Sequence, residues 1–211
     1  LGATIAGQYT KLAKEVCKLP REAVNLAYLD LNSAEGQEYW IAMNLAGDYA
    51  SACHEVIHNR LTKAIGAKVL AKVENHHNFA WKEILQGEEV IVHRKGATPA
   101  AKGVMGIIPG SMTAPGFLVR GKGEVSAINS ASHGAGRQMS RTKAIQNITR
   151  AEMKAILKDH GVTLIGAGLD EAPMAYKDIH KVMNAQTELV DVVAKFEPKM
   201  VRMADDGSRE D

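Results

Sequence analysis

The sequence predicts an α+β fold, on three observations. Helical apolar periodicity fills the first third of the chain. Short β-branched runs separated by glycine-rich turns fill the middle, and helix and strand signals mix in the remainder. The two kinds of element are segregated rather than alternating β-α-β, which argues against a doubly wound parallel sheet. Residues 3–18 carry Ile5, Tyr9, Leu12, Ala13 and Val16 on one helical stripe, with Pro20 beyond its end. Ser33 is the expected N-cap of a long amphipathic helix reaching about Ile65. Trp40, Met43, Leu45, Tyr49, Val56 and Leu61 form its apolar part and Gly66 closes it. "AKVLAKVENHHNFAWKEI" and "EEVIVHRKGA", split by "LQG", predict a hairpin, and "GVMGIIPGSM" and "GFLVRGKGE" two further strands. Helices are expected again near Gln138, over 149–160 and over 172–186. "GVTLIG" is a short strand, and "ELVDVVAKFEPKMVRM" ends the chain as one or two strands before a polar tail.

Composition excludes several classes of function. The 211 residues are 45% hydrophobic and 24% charged, enough for one sizeable core or two small ones. Net charge is +2, so nucleic-acid binding has to come from local patches rather than an overall basic field. Cys17 and Cys53 lack CxxC spacing and read as reduced thiols of a cytoplasmic protein. No stretch has the length of a membrane span or the pattern of a signal peptide. The start "LGATIAGQY" has no Met and reads like the interior of a longer protein.

Five stretches could carry chemistry. "HEVIH", His54 to His58, matches the helical zinc-hydrolase pattern, with Glu55 as base. No third ligand pattern follows it, and a solvated helix face explains it as well. In "ENHHNFA", His76 and His77 lie in a strand-like stretch, so only one of them faces a given side; a satisfied edge cluster is the other reading. In "HRKGA", period two puts His93 and Lys95 on one face and Arg94 on the other, either as a phosphate site or as a charged edge. Pro109-Gly110-Ser111 is a turn whose hydroxyl and backbone N–H groups can receive a nucleotide.

The fifth, "SASHGAGRQMSR", sets His133 among small residues. Gly134 and Gly136 allow close backbone approach. A helix starting near Gly136 would aim free N–H groups at an anion beside His133, with Arg137 and Arg141 on one side of it. A neutral imidazole nitrogen attacks phosphorus, so a covalent phosphoramidate at His133 is one reading, and an exposed histidine at a helix start is the other.

Taken together, "ENHHN", "VIVHRKGATPA", "GIIPGSM", "VRGKG", "SASHGAGRQMSR" and "EAPMAYKDI" resemble, in order and spacing, the RtcB family of RNA-splicing ligases. The resemblance covers nearly the whole chain, residues 1–204, leaving 205–211 as a tail. It implies an RtcB-like α+β fold with amino-terminal helices, a strand-rich nucleotide-binding region and mixed carboxy-terminal elements. It implies an enzyme that joins RNA 3′-phosphate or 2′,3′-cyclic phosphate ends to 5′-hydroxyl ends in tRNA splicing or RNA repair, using GTP and Mn²⁺. By motif, His133 is the guanylylated residue and His77 a manganese ligand. Asn78 sits by the phosphates, Lys95 lies at the nucleotide, and Ser111 and Tyr176 contact guanine. Gly134, Ala135 and Gly136 bring backbone to the GMP phosphate, and Arg137 belongs to the nucleotide-binding set. "HEVIH" falls where the family binds no metal.

The chain departs from the family at both ends. The family's amino-terminal half, with its Asp, Cys and two further His ligands, has no counterpart here, so the chain looks like the carboxy-terminal half. The family's closing Lys-Gly is replaced by "ADDGSRED". Such a piece alone is expected to be inactive. The competing expectation is a catalytically incomplete guanine-nucleotide or RNA-binding remnant.

Overall fold

The computed structural model describes residues 2–203, so the polar tail lies outside the described residues. The chain divides into two compact units, one ending at Ala71 and one beginning at Lys72. The first is helical: α1 (Gly2–Val16), a 3₁₀ turn (Arg21–Leu26) and α2 (Ala34–Ala64). Ser33 caps α2 as its sequence position predicts, its hydroxyl accepting from the Gly36 N–H at 3.0 Å. Tyr9 of α1 meets Tyr39 of α2 edge to face at 5.3 Å. Leu45, Tyr49, Val56 and Leu61 of the expected apolar stripe remain exposed along α2.

The second unit is α+β. The predicted hairpin forms: β1 (Asn78–Leu85) pairs antiparallel with β2 (Glu88–Lys95), Asn78 opposite Lys95. Gln86 and Gly87 both have positive φ, the two-residue turn whose twist suits a hairpin. β3 (Ala97–Pro99) pairs with β6 (Ser130–Ser132) in a ladder of three residues each. β4 (Met105–Ile108), β5 (Gly116–Gly121) and β8 (Val190–Phe196) form a three-stranded antiparallel sheet, and β7 (Thr163–Gly166) runs parallel to β9 (Met200–Arg202). The helices are α3 (Arg141–Asn147), α4 (Arg150–Asp159) and α5 (Ile179–Asn184). Thr149 and Glu152 cap α4 reciprocally.

Three expectations are corrected. The helix after the glycine motif begins at Arg141, because Ser140 is its cap, with its hydroxyl on the Lys143 N–H. The span 172–186 is broken into a 3₁₀ turn (Pro173–Ala175) and α5, since Pro173 starts a new turn and Asp178 caps the helix. His76 and His77 precede β1 rather than lying in it, so strand alternation does not govern them.

Two cores hold this unit. One gathers Ile108, Phe117, Val119, Ala131, Ala135, Ile179 and Met183. The other gathers Met112, Ala144, Ile148, Met153 and Leu157 with Ala172 and Ala175. Tyr176 packs against both.

Candidate active site

The three-residue β3–β6 ladder builds the site. It follows Gly96 on one strand and precedes His133 on the other, bringing two motifs together that lie far apart in sequence. The Gly96 N–H donates to the His77 carbonyl at 3.2 Å, and the His133 N–H donates to the Gly96 carbonyl at 3.3 Å. Gly96 has φ +76°, and a Cβ there would lie 3.8 Å from the His133 ring. With Gly96 as hinge, the imidazoles of His77 and His133 stack, centroids 5.2 Å apart and planes 24° apart.

The small residues around His133 have separate tasks. Ala131 and Ala135 are buried in the first core and anchor the loop on both sides of the histidine. At Gly134 a Cβ would come within 3.1 Å of the Pro109 carbonyl, and the Ala135 N–H donates to that same carbonyl at 3.0 Å. The Pro109-Gly110-Ser111 turn therefore abuts the glycine loop. The Ser111 hydroxyl accepts from the Ala114 N–H at 3.3 Å and so shapes its own turn. The Ser132 hydroxyl donates to the Gly134 carbonyl at 2.7 Å. His133 Nδ1 is buried and has no hydrogen-bond partner within the protein. A buried polar atom in that condition is costly unless something else satisfies it.

Asn78 and Lys95 face each other across the foot of the hairpin, both exposed, one residue from His77 and Gly96 respectively. The alternation read from "HRK" holds: His93 and Lys95 are exposed and Arg94 is buried. The Arg94 side chain is taken up by partners within the protein. Its guanidinium is 2.6 and 2.9 Å from the two Glu83 carboxylate oxygens, donates to Ser130 Oγ at 2.8 Å and to the Ile128 carbonyl at 3.1 Å, and lies 4.9 Å over the Trp81 ring. It fastens the hairpin to the segment that leads into β6.

Gly136, with φ +70°, turns the chain toward the loop 169–177. The Lys177 N–H donates to the Gly136 carbonyl at 2.9 Å, Arg137 bridges Tyr176, and the Gln138 N–H donates to the Ala175 carbonyl at 2.9 Å. Arg137 donates to the Asp170 carbonyl at 2.6 Å and to Glu171 at 2.7 Å, and sits 5.0 Å over the Tyr176 ring. The Tyr176 phenol donates to Glu171; its burial and then that carboxylate raise its pKa well above the usual tyrosine range. Arg137 and Arg141 do converge, through Asp170 and Glu171 rather than through a shared helix face.

Sequence reasoning missed four supporting residues. The side-chain amide of Asn75 donates to Thr98 and its oxygen accepts from the Ile107 N–H at 3.3 Å, which fixes the approach to His77. Gln186 accepts from the Ser132 N–H at 3.0 Å. Asp170 and Glu171 are the others. Two of the four lie in quoted motifs, Asn75 in "ENHHN" and Glu171 in "EAPMAYKDI".

Among the described residues no group of three or more His, Cys, Asp or Glu is placed to hold a metal ion. His54 and His58 are exposed on α2, rings 6.4 Å apart, with no third ligand beside them. No helix among the described residues is long and apolar enough to cross a membrane.

A family model described as "tRNA-splicing ligase RtcB" matches residues 1–204. An RNA-splicing ligase RtcB of Escherichia coli (strain K12) is 48% identical over 130 residues, 59% of this chain and 30% of that protein. A tRNA-splicing ligase RtcB of Methanococcus maripaludis is 32% identical over 219 residues, covering 86% of this chain and 45% of the relative. That of Nanoarchaeum equitans is 31% identical over 235 residues, 95% and 49% respectively. The chain thus spans less than half the length of these relatives.

Proposed function

The chain belongs to the tRNA-splicing ligase RtcB family, and on that premise we propose that it is the nucleotide-accepting part of an RNA ligase with His133 as the residue that takes up GMP. The observation that carries this reading is the stacked pair His77–His133 astride Gly96, with the His133 Nδ1 buried and unpartnered. A structural histidine in such a place would be expected to bond a neighbour. The ring is instead presented between a glycine loop, a serine turn and the Asn78–Lys95 foot of the hairpin.

The residues fit a guanine nucleotide. GTP supplies an electrophilic phosphorus. Neutral His133 forms the N–P bond through a ring nitrogen and loses its ring proton, while the bond to pyrophosphate breaks. Lys95 offers a cation to phosphate oxygens, and Asn78 offers amide donors beside it. Gly134 to Gly136 let phosphate approach the backbone, and Ser111 and Tyr176 present polar groups to the base. His133 is released when an oxygen of an RNA 3′-phosphate takes the GMP. Attack by a 5′-hydroxyl on that activated phosphate then closes the RNA strand and expels GMP. A 2′,3′-cyclic phosphate end would first be opened to the 3′-phosphate.

Manganese enters as a proposal through His77 alone. Among the described residues no group of three or more His, Cys, Asp or Glu forms a metal site beside it. That same observation favours a second reading, a guanine-nucleotide and RNA-binding remnant. The unpaired Cys17 and Cys53 fit a cytoplasmic setting.

The test joins this chain to the amino-terminal portion of a relative and supplies Mn²⁺, GTP and RNA. Sealing of 3′-phosphate to 5′-hydroxyl ends, lost in His133→Ala and in His77→Ala, is the expected result. Nucleotide binding without sealing would select the remnant. Sealing that persists in His133→Ala would overturn the reading.

A further inference from the structure

The reaction proposed above leaves Glu171 without a task. Its side chain is 10% exposed, a costly place for a carboxylate unless it is paired. The partners are unusual in belonging to the site. One oxygen accepts from Arg137 at 2.7 Å, and the other accepts from the Tyr176 phenol. Arg141 stands 3.6 Å from the first oxygen and bonds Asp170 at 3.0 Å. The Asp170 carbonyl takes a second Arg137 donor at 2.6 Å, and the guanidinium lies over the Tyr176 ring. Two backbone hydrogen bonds, which together make the bridge between Arg137 and Tyr176, zip the same two segments together around Gly136.

We propose that Glu171 is the positioning residue of the nucleotide pocket, locking the Arg137 guanidinium and the Tyr176 phenol in place before a nucleotide arrives. The inference rests on the nucleotide reading given above. Glu171 itself touches no reacting atom. A free arginine must give up side-chain freedom to grip a phosphate, and one already held by a carboxylate and a carbonyl has done so in advance. Its five donors exceed the two used here, so donors remain for phosphate oxygens. The phenol proton is committed to Glu171, which leaves the Tyr176 oxygen as an acceptor and fixes the ring plane.

The experiment uses the 211-residue chain with GMP as probe. Nitrogen-resolved NMR of arginine side chains should show Arg137 in slow rotation without nucleotide, and Glu171→Gln should average those signals. GMP affinity should fall about tenfold in Glu171→Gln and by a similar factor in Arg137→Lys, which loses the forked geometry. The double variant should be no weaker than the poorer single, because both changes remove one arrangement; independent effects would multiply to about a hundredfold. A folded Glu171→Gln chain with unchanged Arg137 signals and GMP affinity within about twofold overturns the inference alone, as does multiplication in the double variant. A wild-type chain that binds no GMP overturns the nucleotide reading along with it. If Glu171→Gln does not fold, the wild-type spectrum decides, since fast-rotating Arg137 signals overturn the proposal.

Discussion

Replacing Arg94 by methionine removes a buried cation while keeping most of the volume of its stem. Arg94 is 3% exposed, and its guanidinium meets Glu83, Ser130 and the Ile128 carbonyl. Breaking a buried pair by removing one partner typically costs about 3–5 kcal/mol, because the other charge is stranded. Two features of this site place the cost near the lower end, about 3 kcal/mol. The Glu83 side chain is 24% exposed and can be partly rehydrated. The Ser130 hydroxyl already donates to the Ile128 carbonyl at 2.8 Å, so neither loses its last partner. Urea unfolding of the Arg94→Met chain, extrapolated to water with an unchanged slope, should show that loss. Adding Glu83→Leu should recover most of it, since a well-packed apolar pair replaces a buried ion pair at little cost. A loss below about 1 kcal/mol in the single variant would instead put Arg94 among ordinary surface pairs and rule out a stranded buried charge. A double variant as unstable as the single would rule it out too, since the stranded Glu83 charge could not then be the cause.

Gly96→Ala should cost about 1–2 kcal/mol through its left-handed φ, with the His133 ring left in place because the added methyl meets it at 3.8 Å; a shifted His133 ring resonance without loss of stability would contradict this. Hydrogen bonds from the Thr149 hydroxyl and N–H hold the Glu152 carboxyl below its usual 4.5, so the α4 cap is strongest above that pH and is lost as pH falls through the lowered value. A carbon-13 titration of Glu152 should give a midpoint below 4.5 that rises in Thr149→Ala; a wild-type midpoint at or above 4.5 would go against it. The isolated 211-residue chain should not ligate RNA with GTP and Mn²⁺, since among its described residues no three His, Cys, Asp or Glu are placed to hold a metal ion; sealing by this chain alone would go against that expectation. His54→Gln with His58→Gln should shift stability by about 0.5 kcal/mol or less and leave GMP binding unchanged, and a loss of binding in a folded double variant would reopen the zinc-type reading of "HEVIH".

The elements that announced themselves did so through local chemistry. The hairpin was legible because "LQG" separates two β-branched runs, and Ser33 because a capping side chain precedes a long apolar period. The glycine loop was legible as a place of close approach. What makes it a site was not: β3 and β6 have only three residues each, too few for any periodicity, and their pairing joins positions more than thirty residues apart. The helix start was misplaced at Gly136 because a glycine-flanked histidine looked like an anion-binding terminus, while the capping signal lay in Ser140. In the sequence Arg94 belongs with His93 and Lys95 to a basic cluster that fits either a phosphate site or a charged edge. Alternation put it on the other face, but only tertiary structure could supply Glu83 as its partner. Glu171 shows the same limit, because a carboxylate between glycine- and alanine-rich turns gives no sequence sign of the two arginines it meets.

Mapping the adduct decides whether His133 is the acceptor of GMP. The chain joined to a relative's amino-terminal portion is incubated with GTP labelled at the α-phosphate and with Mn²⁺, digested, and read by mass spectrometry. One modified peptide is expected, containing Ser130 to Arg137, with GMP on His133 through a nitrogen–phosphorus bond that survives base and is cleaved by acid. Label on another residue of this chain, or label that persists undiminished in His133→Ala, would contradict it.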